Sequence, residues 1–244
     1  MKYRGIRVYS VIVAALFGLT ACESIQPARM VAPPALAGQT VETPIEGIGG
    51  GTRGTFRFGD HSGTFSRSES RLAFFNILEN RSGYTNFTLR GPNISDQIEV
   101  KCTMRERNIT ISVVSFTPKK MAYGCDFTAN GYPFPARFEL QEVREGLGGA
   151  LSKKERRGEI ALDRVILTIR SVHSVEGSPI QVASPIGYVF ELDGRPVGAV
   201  EVNGTPRAML PVSGDPALKR AVIAASLALG LFWDPANSQL GELD

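Results

Sequence analysis

The sequence predicts a mainly β fold of the α+β class: an antiparallel β-barrel or sandwich with a buried hydrophobic helix at its C-terminal end. From residue 52 to residue 169, short segments rich in β-branched and aromatic residues are separated by turn residues. Their spacing of about eight to twelve residues is typical of antiparallel sheets that close on themselves. A long apolar run then follows from residue 221 to residue 233.

The strand pattern recurs along the middle of the chain. It predicts strands at 54–58, 63–67, 72–78, 85–89, 98–104, 108–115, 121–127, 136–143 and 159–169. Two further strands flank Asp193-Gly194, a dipeptide that favours positive φ at both central positions of a tight hairpin. One more short strand completes the predicted sheet.

A helix is predicted over residues 215–233. Asp215 can cap it, and Pro216 suits its first turn. From residue 221 to residue 233 it is apolar on every side except at Ser226, and a helix of that kind is buried all round. Because that run would be only about 20 Å long, against about 30 Å for a hydrocarbon core, protein should surround it.

The N-terminus predicts export and lipidation. Basic residues at 2, 4 and 7 precede an apolar stretch that ends in Leu19-Thr20-Ala21-Cys22, the order found in signal peptides. This ending resembles the lipobox of bacterial lipoproteins, which implies a signal peptide at 1–21 and acyl chains on Cys22. An ordinary secretory signal with a chance cysteine is the alternative. In that family Glu23 favours the outer membrane, with the domain facing the periplasm.

Residues 22–47 predict a flexible tether rich in Pro and Ala, which would hold the domain tens of ångströms from the membrane. The glycine run at 47–51 is interpreted as the end of this tether, because it lacks the pattern of a phosphate-binding loop. Residues 48–244 then form a single β domain.

Charge and cysteine usage fit a cell-envelope protein. The chain has 27 basic and 24 acidic residues, and the signal peptide carries three of the basic ones, so a nucleic-acid partner is not expected. In an oxidising compartment, Cys102 and Cys125 predict a disulfide, with two isolated buried thiols as the alternative.

The order of many antiparallel strands followed by a helix that is apolar on every face resembles the tubby C-terminal-like fold, shared by tubby domains, phospholipid scramblases and LURP-one-related proteins. The resemblance covers roughly residues 54–233 and is sharpest over 187–233. It implies a closed barrel around the helix and a non-catalytic binding module, in a family associated with lipids and membranes. It assigns no ligand residue in this chain.

Catalytic and metal-binding patterns are missing from the sequence. His61 and His173 are isolated among polar and turn residues, and no serine-nucleophile or zinc motif accompanies them. No metal or other cofactor is therefore predicted. The one dense basic cluster, Lys153, Lys154, Arg156 and Arg157, is a candidate contact for anionic lipid headgroups, with a solvated loop as the alternative.

These observations predict a non-enzymatic, lipid-anchored envelope protein with a β-barrel binding module for an unknown ligand. Its expected partners are the membrane, through the anchor, and either anionic lipid or an envelope protein. A periplasmic carrier of lipid or of a small apolar ligand is the first alternative and would need a partly empty barrel. A hydrolase of an envelope polymer is the second and would need His61 or His173 beside a nucleophile.

Overall fold

The computed structural model describes residues 27–74, 78–92, 94, 96–111, 114–143 and 153–234. These residues form one barrel of antiparallel strands followed by a helix. The strands are β1 (Thr40–Glu46), β2 (Arg53–Phe58), β3 (His61–Phe74), β4 (Leu78–Leu89), β5 (Ile98–Ile111), β6 (Val114–Ala129), β7 (Tyr132–Val143), β8 (Glu155–Leu162), β9 (Val165–Val172), β10 (Gly187–Leu192), β11 (Arg195–Glu201) and β12 (Arg207–Pro211); the helix α1 is Pro216–Gly230.

The barrel is closed. Each strand pairs with the next one along the chain, and β12 pairs with β1 to complete the circle. Along β9, buried residues alternate with exposed ones over Val165-Ile166-Leu167-Thr168-Ile169, because successive side chains of a strand point to opposite faces. In β10 and β11, runs of four consecutive residues are buried. The closed circle of strands confirms the predicted fold class and selects the barrel over the sandwich.

The helix α1 fills the barrel. Every residue from 221 to 231 is buried, in one core with the inward residues of the strands. Small side chains on both partners let the elements approach closely: a Cβ atom at Gly198 would lie 2.9 Å from Val222, and one at Gly230 would lie 2.8 Å from Ile45. As predicted, Asp215 caps the helix, accepting a hydrogen bond from the Ala217 amide at 2.9 Å.

The two ends of the barrel differ in their connections. At one end, here called the base, α1 begins, tight turns join β2 to β3, β6 to β7, β8 to β9 and β10 to β11, and one longer connection joins β4 to β5. The predicted Asp193-Gly194 hairpin lies there, with φ of 51° and 74°. At the other end, here called the mouth, α1 ends and longer connections join β1 to β2, β9 to β10 and β11 to β12.

Residues 27–39 form a strap on the outside of the barrel, and β1 follows them as a barrel strand. Met30 and Leu36 are buried against outward residues of the wall, Val172, Val189 and Ala199. The predicted tether over 22–47 is therefore wrong from residue 27 onward, and the domain does not start at 48. The sequence pattern missed the strap because its partners lie more than 130 residues away.

Several predicted strands and the predicted helix have different boundaries in the structure. The predicted strand at 159–169 is two strands, β8 and β9, with Asp163 at positive φ between them. The segments predicted at 72–78 and 108–115 each cross from one strand to the next, over residues 75–77 and 112–113, which lie outside the described residues. The helix ends at Gly230 rather than at residue 233, which frees Phe232 and Trp233 from the helix.

Four strands continue past the barrel wall at the mouth. The pairing of β2 with β3 stops at Arg53↔Ser66, whereas β3 runs to Phe74. On the other side, the pairing of β6 with β7 stops at Ala122↔Gln141, whereas β6 begins at Val114. Beyond these points β3, β4, β5 and β6 still pair with one another. They form a four-strand extension about 23 Å long, taking about 3.3 Å per residue.

Candidate functional site: the mouth of the barrel

A cavity of about 370 Å³ opens at the mouth, beside the C-terminal end of α1. Its walls come from the β1–β2 and β11–β12 connections and from the residues that follow the helix. The lining mixes apolar and polar groups: it includes Ile48, Val202, Phe232 and Trp233 together with Arg67, Tyr188 and the Asp234 carboxylate. A concave pocket that combines apolar walls with a few placed polar groups is typical of sites for small ligands.

Of the described residues, two with charged side chains line this cavity, Asp234 and the buried Arg67. Arg67 is only 7% exposed and donates hydrogen bonds to the Gly51 carbonyl at 3.1 Å and the Gly49 carbonyl at 2.6 Å. Its guanidinium also lies 5.0 Å from the centre of the Trp233 ring and 5.2 Å from that of Phe65. Burial lowers the pKa of Arg67, and among the described residues no carboxylate contacts it.

The glycine run at 47–51 thus has a structural role that the sequence interpretation missed. It forms the β1–β2 connection, and two of its carbonyl groups hold Arg67 in place. It is the rim of the mouth and not the end of a tether.

A second buried arginine near the mouth has a carboxylate partner, although its Nε makes no hydrogen bond within the described part of the chain. Arg156, on β8, is 1% exposed and donates to the Asp234 carboxylate at 2.6 Å and the Tyr188 hydroxyl at 3.0 Å. Burial opposes the charge of Arg156, but the Tyr188 oxygen and Asp234 raise its pKa above the ordinary value. The Arg156–Asp234 pair attaches the chain after α1 to the barrel wall. Among the described residues, Arg67 is then the buried arginine of this site that has no carboxylate partner.

Tyr123 secures the end of the helix beneath the cavity. Its hydroxyl donates to the Ala228 carbonyl at 2.9 Å, which is one of the carbonyls that the last helical turn leaves without an intrahelical partner. Its ring stacks on Phe232, with 4.2 Å between centroids. Burial raises the pKa of Tyr123, so the hydroxyl keeps its proton and acts as a donor.

The predicted basic cluster is divided by the fold. Lys153, Lys154 and Arg157 lie at the surface, and Arg157 pairs with Glu155 at 3.1 Å. The assignment of Arg156 to an anionic-surface contact is wrong, because β8 turns that side chain inward while its neighbours face outward. Only the two lysines stay available as a local basic pair near the mouth.

Of the predicted cysteine sites, the disulfide is seen and the lipidation site is not described. Cys102 and Cys125 face each other across β5 and β6, and their sulfur atoms are bonded at 2.09 Å inside the barrel. Cys22 lies outside the described residues.

The histidines do not form a cleft with a nucleophile. His173 lies next to Ser171, with 3.1 Å between Nε2 and Oγ, but its Nδ1 donates to the Val182 carbonyl at 2.9 Å rather than to a carboxylate. Both residues are buried and neither lines the mouth cavity. His61 lies at the opposite end of the barrel, and burial lowers the pKa of both histidines.

Two kinds of feature are absent from the described residues. They contain no group of three or more His, Cys, Asp or Glu side chains that could hold a metal ion. Within that part of the chain, no helix has the length and hydropathy needed to cross a membrane.

The chain matches no protein-family model, no curated protein and no solved structure. Its function must therefore be inferred from its own sequence and from the geometry of the mouth.

Sequence reasoning missed Arg67, Tyr188, Phe232, Trp233 and Asp234 as site residues. For the arginines a signal was present. Arg67 shares the inner face of its strand with Phe65, and Arg156 shares its inner face with Ile160 and Leu162. An arginine at an inward position of a strand indicates a buried charge, and such a charge must find a partner.

Proposed function

We propose that this chain is a non-enzymatic, lipid-anchored protein of the bacterial outer membrane, and that the mouth cavity binds a small ligand carrying an anionic group. The observation that carries this proposal is the buried Arg67 guanidinium, which faces a cavity of about 370 Å³ and has no carboxylate partner among the described residues. An anionic ligand would supply that partner, and the apolar lining would hold its body.

The remaining parts of the proposal have separate support. The lipobox-like Leu19-Thr20-Ala21-Cys22 supports the anchor. The closed barrel around an apolar C-terminal helix is the architecture that the resemblance to the tubby C-terminal-like fold implies, and it supports a binding module. A carrier with its ligand in the lumen is less favoured, since α1 occupies the lumen. The Ser171–His173 pair has no carboxylate on Nδ1, so it gives little support to a hydrolase.

A fluorescence titration tests the cavity directly, because Trp233 is the single tryptophan of the chain and lies beside Arg67. The protein is secreted without its lipid, starting at Glu23 so that the strap and β1 are retained. Octanoate, an anionic probe with a short apolar chain, is titrated against octanol, its neutral counterpart. We expect octanoate to change the emission of Trp233 at much lower concentration than octanol.

The Arg67→Gln variant should weaken octanoate binding about 10- to 100-fold, since a hydrogen bond to a charged group contributes about 1.5–3 kcal/mol. Arg164→Gln, at the base, is the matched control for the loss of one positive charge and should bind octanoate normally. Thermal melting of each variant establishes that it is folded. Equal binding of octanol and octanoate, or unchanged binding by a folded Arg67→Gln protein, would contradict the proposed site.

A further inference from the structure

From the path of the strap, we infer that the mouth end of the barrel docks on the lipid bilayer. This inference depends on the proposed anchor at Cys22. It goes beyond the proposed function because it assigns a membrane-contacting surface and an orientation to the domain.

The strap brings the anchored end of the chain to the mouth. The Asn203 side-chain amide donates to the Ala28 carbonyl at 2.8 Å, and the Met30 amide donates to the Glu201 carboxylate at 2.8 Å. The Val31 amide and the Glu176 amide also form backbone bonds across the strap, with Ser174 and Arg29 respectively. These bonds fix residues 28–31 against the β9–β10 and β11–β12 connections, which are mouth elements.

Charged side chains reinforce the same attachment. Arg29 pairs with Glu42 at 2.8 Å and with Glu201 at 3.3 Å, and Arg207 pairs with the same two carboxylates. Glu201 is 1% exposed, so its two arginine partners are needed to balance a buried charge. The strap is therefore held by a network and not by one contact.

The remaining chain between the strap and Cys22 is short. Pro27 is five residues from Cys22, and a fully extended chain covers at most about 3.3–3.6 Å per residue. The lipidated cysteine then lies within about 18 Å of the mouth. A domain held this closely cannot turn its base to the membrane without detaching the strap.

The surface next to the strap suits a bilayer. Ile180 and Val182, on the β9–β10 connection, are 75% and 39% exposed, and Val31 on the strap is 44% exposed. Lys153 and Lys154 adjoin them, because the Lys154 amide bonds to the Ala183 carbonyl. Apolar side chains can enter the interface, and each lysine near anionic headgroups contributes about 1 kcal/mol. Glu176, also exposed, is the acidic residue on this connection.

The four-strand extension projects from the same end. The described ends of its strands carry apolar residues in register, with Phe74 opposite Leu78 and Ile111 opposite Val114. Farther from the ends, charged residues of both signs follow: Arg71 is opposite Arg81, and Arg81 is opposite Glu106, with which it forms an ion pair at 3.8 Å. By composition, only the ends of the extension match the apolar layer of a bilayer.

Quenching by labelled lipids tests the orientation. The full-length acylated protein is placed in vesicles of phosphatidylethanolamine and phosphatidylglycerol that contain nitroxide-labelled lipid. Single Phe74→Cys, Ile180→Cys and Tyr132→Cys variants each carry a fluorophore on the introduced thiol, and Tyr132 lies at the base with 76% exposure. We expect loss of fluorescence at positions 74 and 180 and no loss at 132.

Each other outcome overturns the inference. If none of the three positions is quenched, the barrel does not contact the bilayer. If only position 132 is quenched, the base faces the bilayer. A blue-shifted probe at 74 that the lipid quencher does not reach would mean that protein, such as a second copy of the chain, covers the extension. Mass spectrometry of the N-terminal peptide reports acylation separately, so failure of the anchor is distinguished from failure of the docking.

A second measurement does not depend on the anchor. For the secreted protein that starts at Glu23, replacing both lysines (Lys153→Gln and Lys154→Gln) should lower the partition coefficient into anionic vesicles about 30-fold, which corresponds to about 1 kcal/mol per lysine. The matched control replaces Arg164 and Arg195, at the base, by Gln and should leave the partition unchanged. An equal loss in both variants would refute a docking role for the lysine pair.

Discussion

The two ends of the barrel use arginine–aspartate pairs in different ways. At the base, Arg164 pairs with Asp215 at 2.8 Å with both side chains exposed to solvent, and Arg220 donates to Asp163 at 3.1 Å on the surface. At the mouth, the pair of Arg156 and Asp234 is almost completely buried. Exposed pairs contribute at most about 1 kcal/mol, whereas a buried pair becomes costly when one partner is removed.

This difference shows that buried charges lie at the mouth and not in the ion pairs of the base. The base is an ordinary surface around the start of a capped helix. The mouth holds two buried guanidinium groups, and among the described residues Arg156 has a carboxylate partner and Arg67 has none. Arg67 bonds to two carbonyl groups of the rim, and its charge without a carboxylate partner is the observation behind the ligand that we propose.

The largest effect is expected from a substitution in α1, which tests whether the barrel needs this helix to fold. Leu227→Asp places a carboxylate at a fully buried position of α1, where an unpaired charge cannot be solvated. We expect the variant to lose cooperative thermal unfolding and native circular dichroism. Lys219→Asp, in the first turn at the base, is the control and should stay folded because acidic residues suit a helix N-terminus. A cooperatively melting Leu227→Asp protein would refute the plugged barrel.

The next effect compares the two ends directly. Asp234→Asn leaves Arg156 buried without its carboxylate and should lower the free energy of unfolding by about 3–5 kcal/mol. Asp163→Asn removes the carboxylate of the surface pair at the base, and asparagine tolerates the positive φ of 53° at that position. This control should cost at most about 1 kcal/mol. Similar losses in chemical denaturation of the two variants would remove the distinction between the ends.

The sequence predicted local features well and long-range ones poorly. The Asp193-Gly194 hairpin, the Asp215 cap and the apolar helix were predicted because their signals lie within a few neighbouring residues. The strap was taken for a tether because Met30 and Leu36 are buried by residues far along the chain. The mouth was missed for the same reason, since Arg67 and Trp233 come from opposite ends of the domain.

The basic cluster shows a third case, in which the signal was available but was interpreted by composition. Lys153, Lys154, Arg156 and Arg157 are interrupted only by Glu155, and a charge run of this kind usually forms one solvated face. In a strand, however, alternate residues point to opposite faces. Arg156 therefore belongs with the interior, while Glu155 and Arg157 on either side of it face outward, and Lys153 and Lys154 precede the strand.

The smallest expected effect concerns the two histidines, one at each end. Burial lowers the pKa of His173 at the mouth and of His61 at the base. For His173, the bond to the Val182 carbonyl and the charge of Glu155 raise the pKa, while Lys153 and Arg156 lower it. Because the folded-state pKa lies below the value of about 6.5 in the unfolded chain, the unfolded state binds protons more readily as the pH falls.

The stability that this provides is present above about pH 6.5 and is lost as the pH falls toward the folded-state pKa. We expect the melting temperature of the wild-type protein to decrease from about pH 7.5 to about pH 5.5, the range in which histidine titrates. His173→Gln and His61→Gln should each reduce that decrease. His173→Gln also removes the hydrogen bond to the Val182 carbonyl, which holds the connection that carries Ile180. We therefore expect His173→Gln to weaken vesicle binding and His61→Gln to leave it unchanged. If both variants keep the full wild-type pH dependence, the two histidines do not control stability at either end.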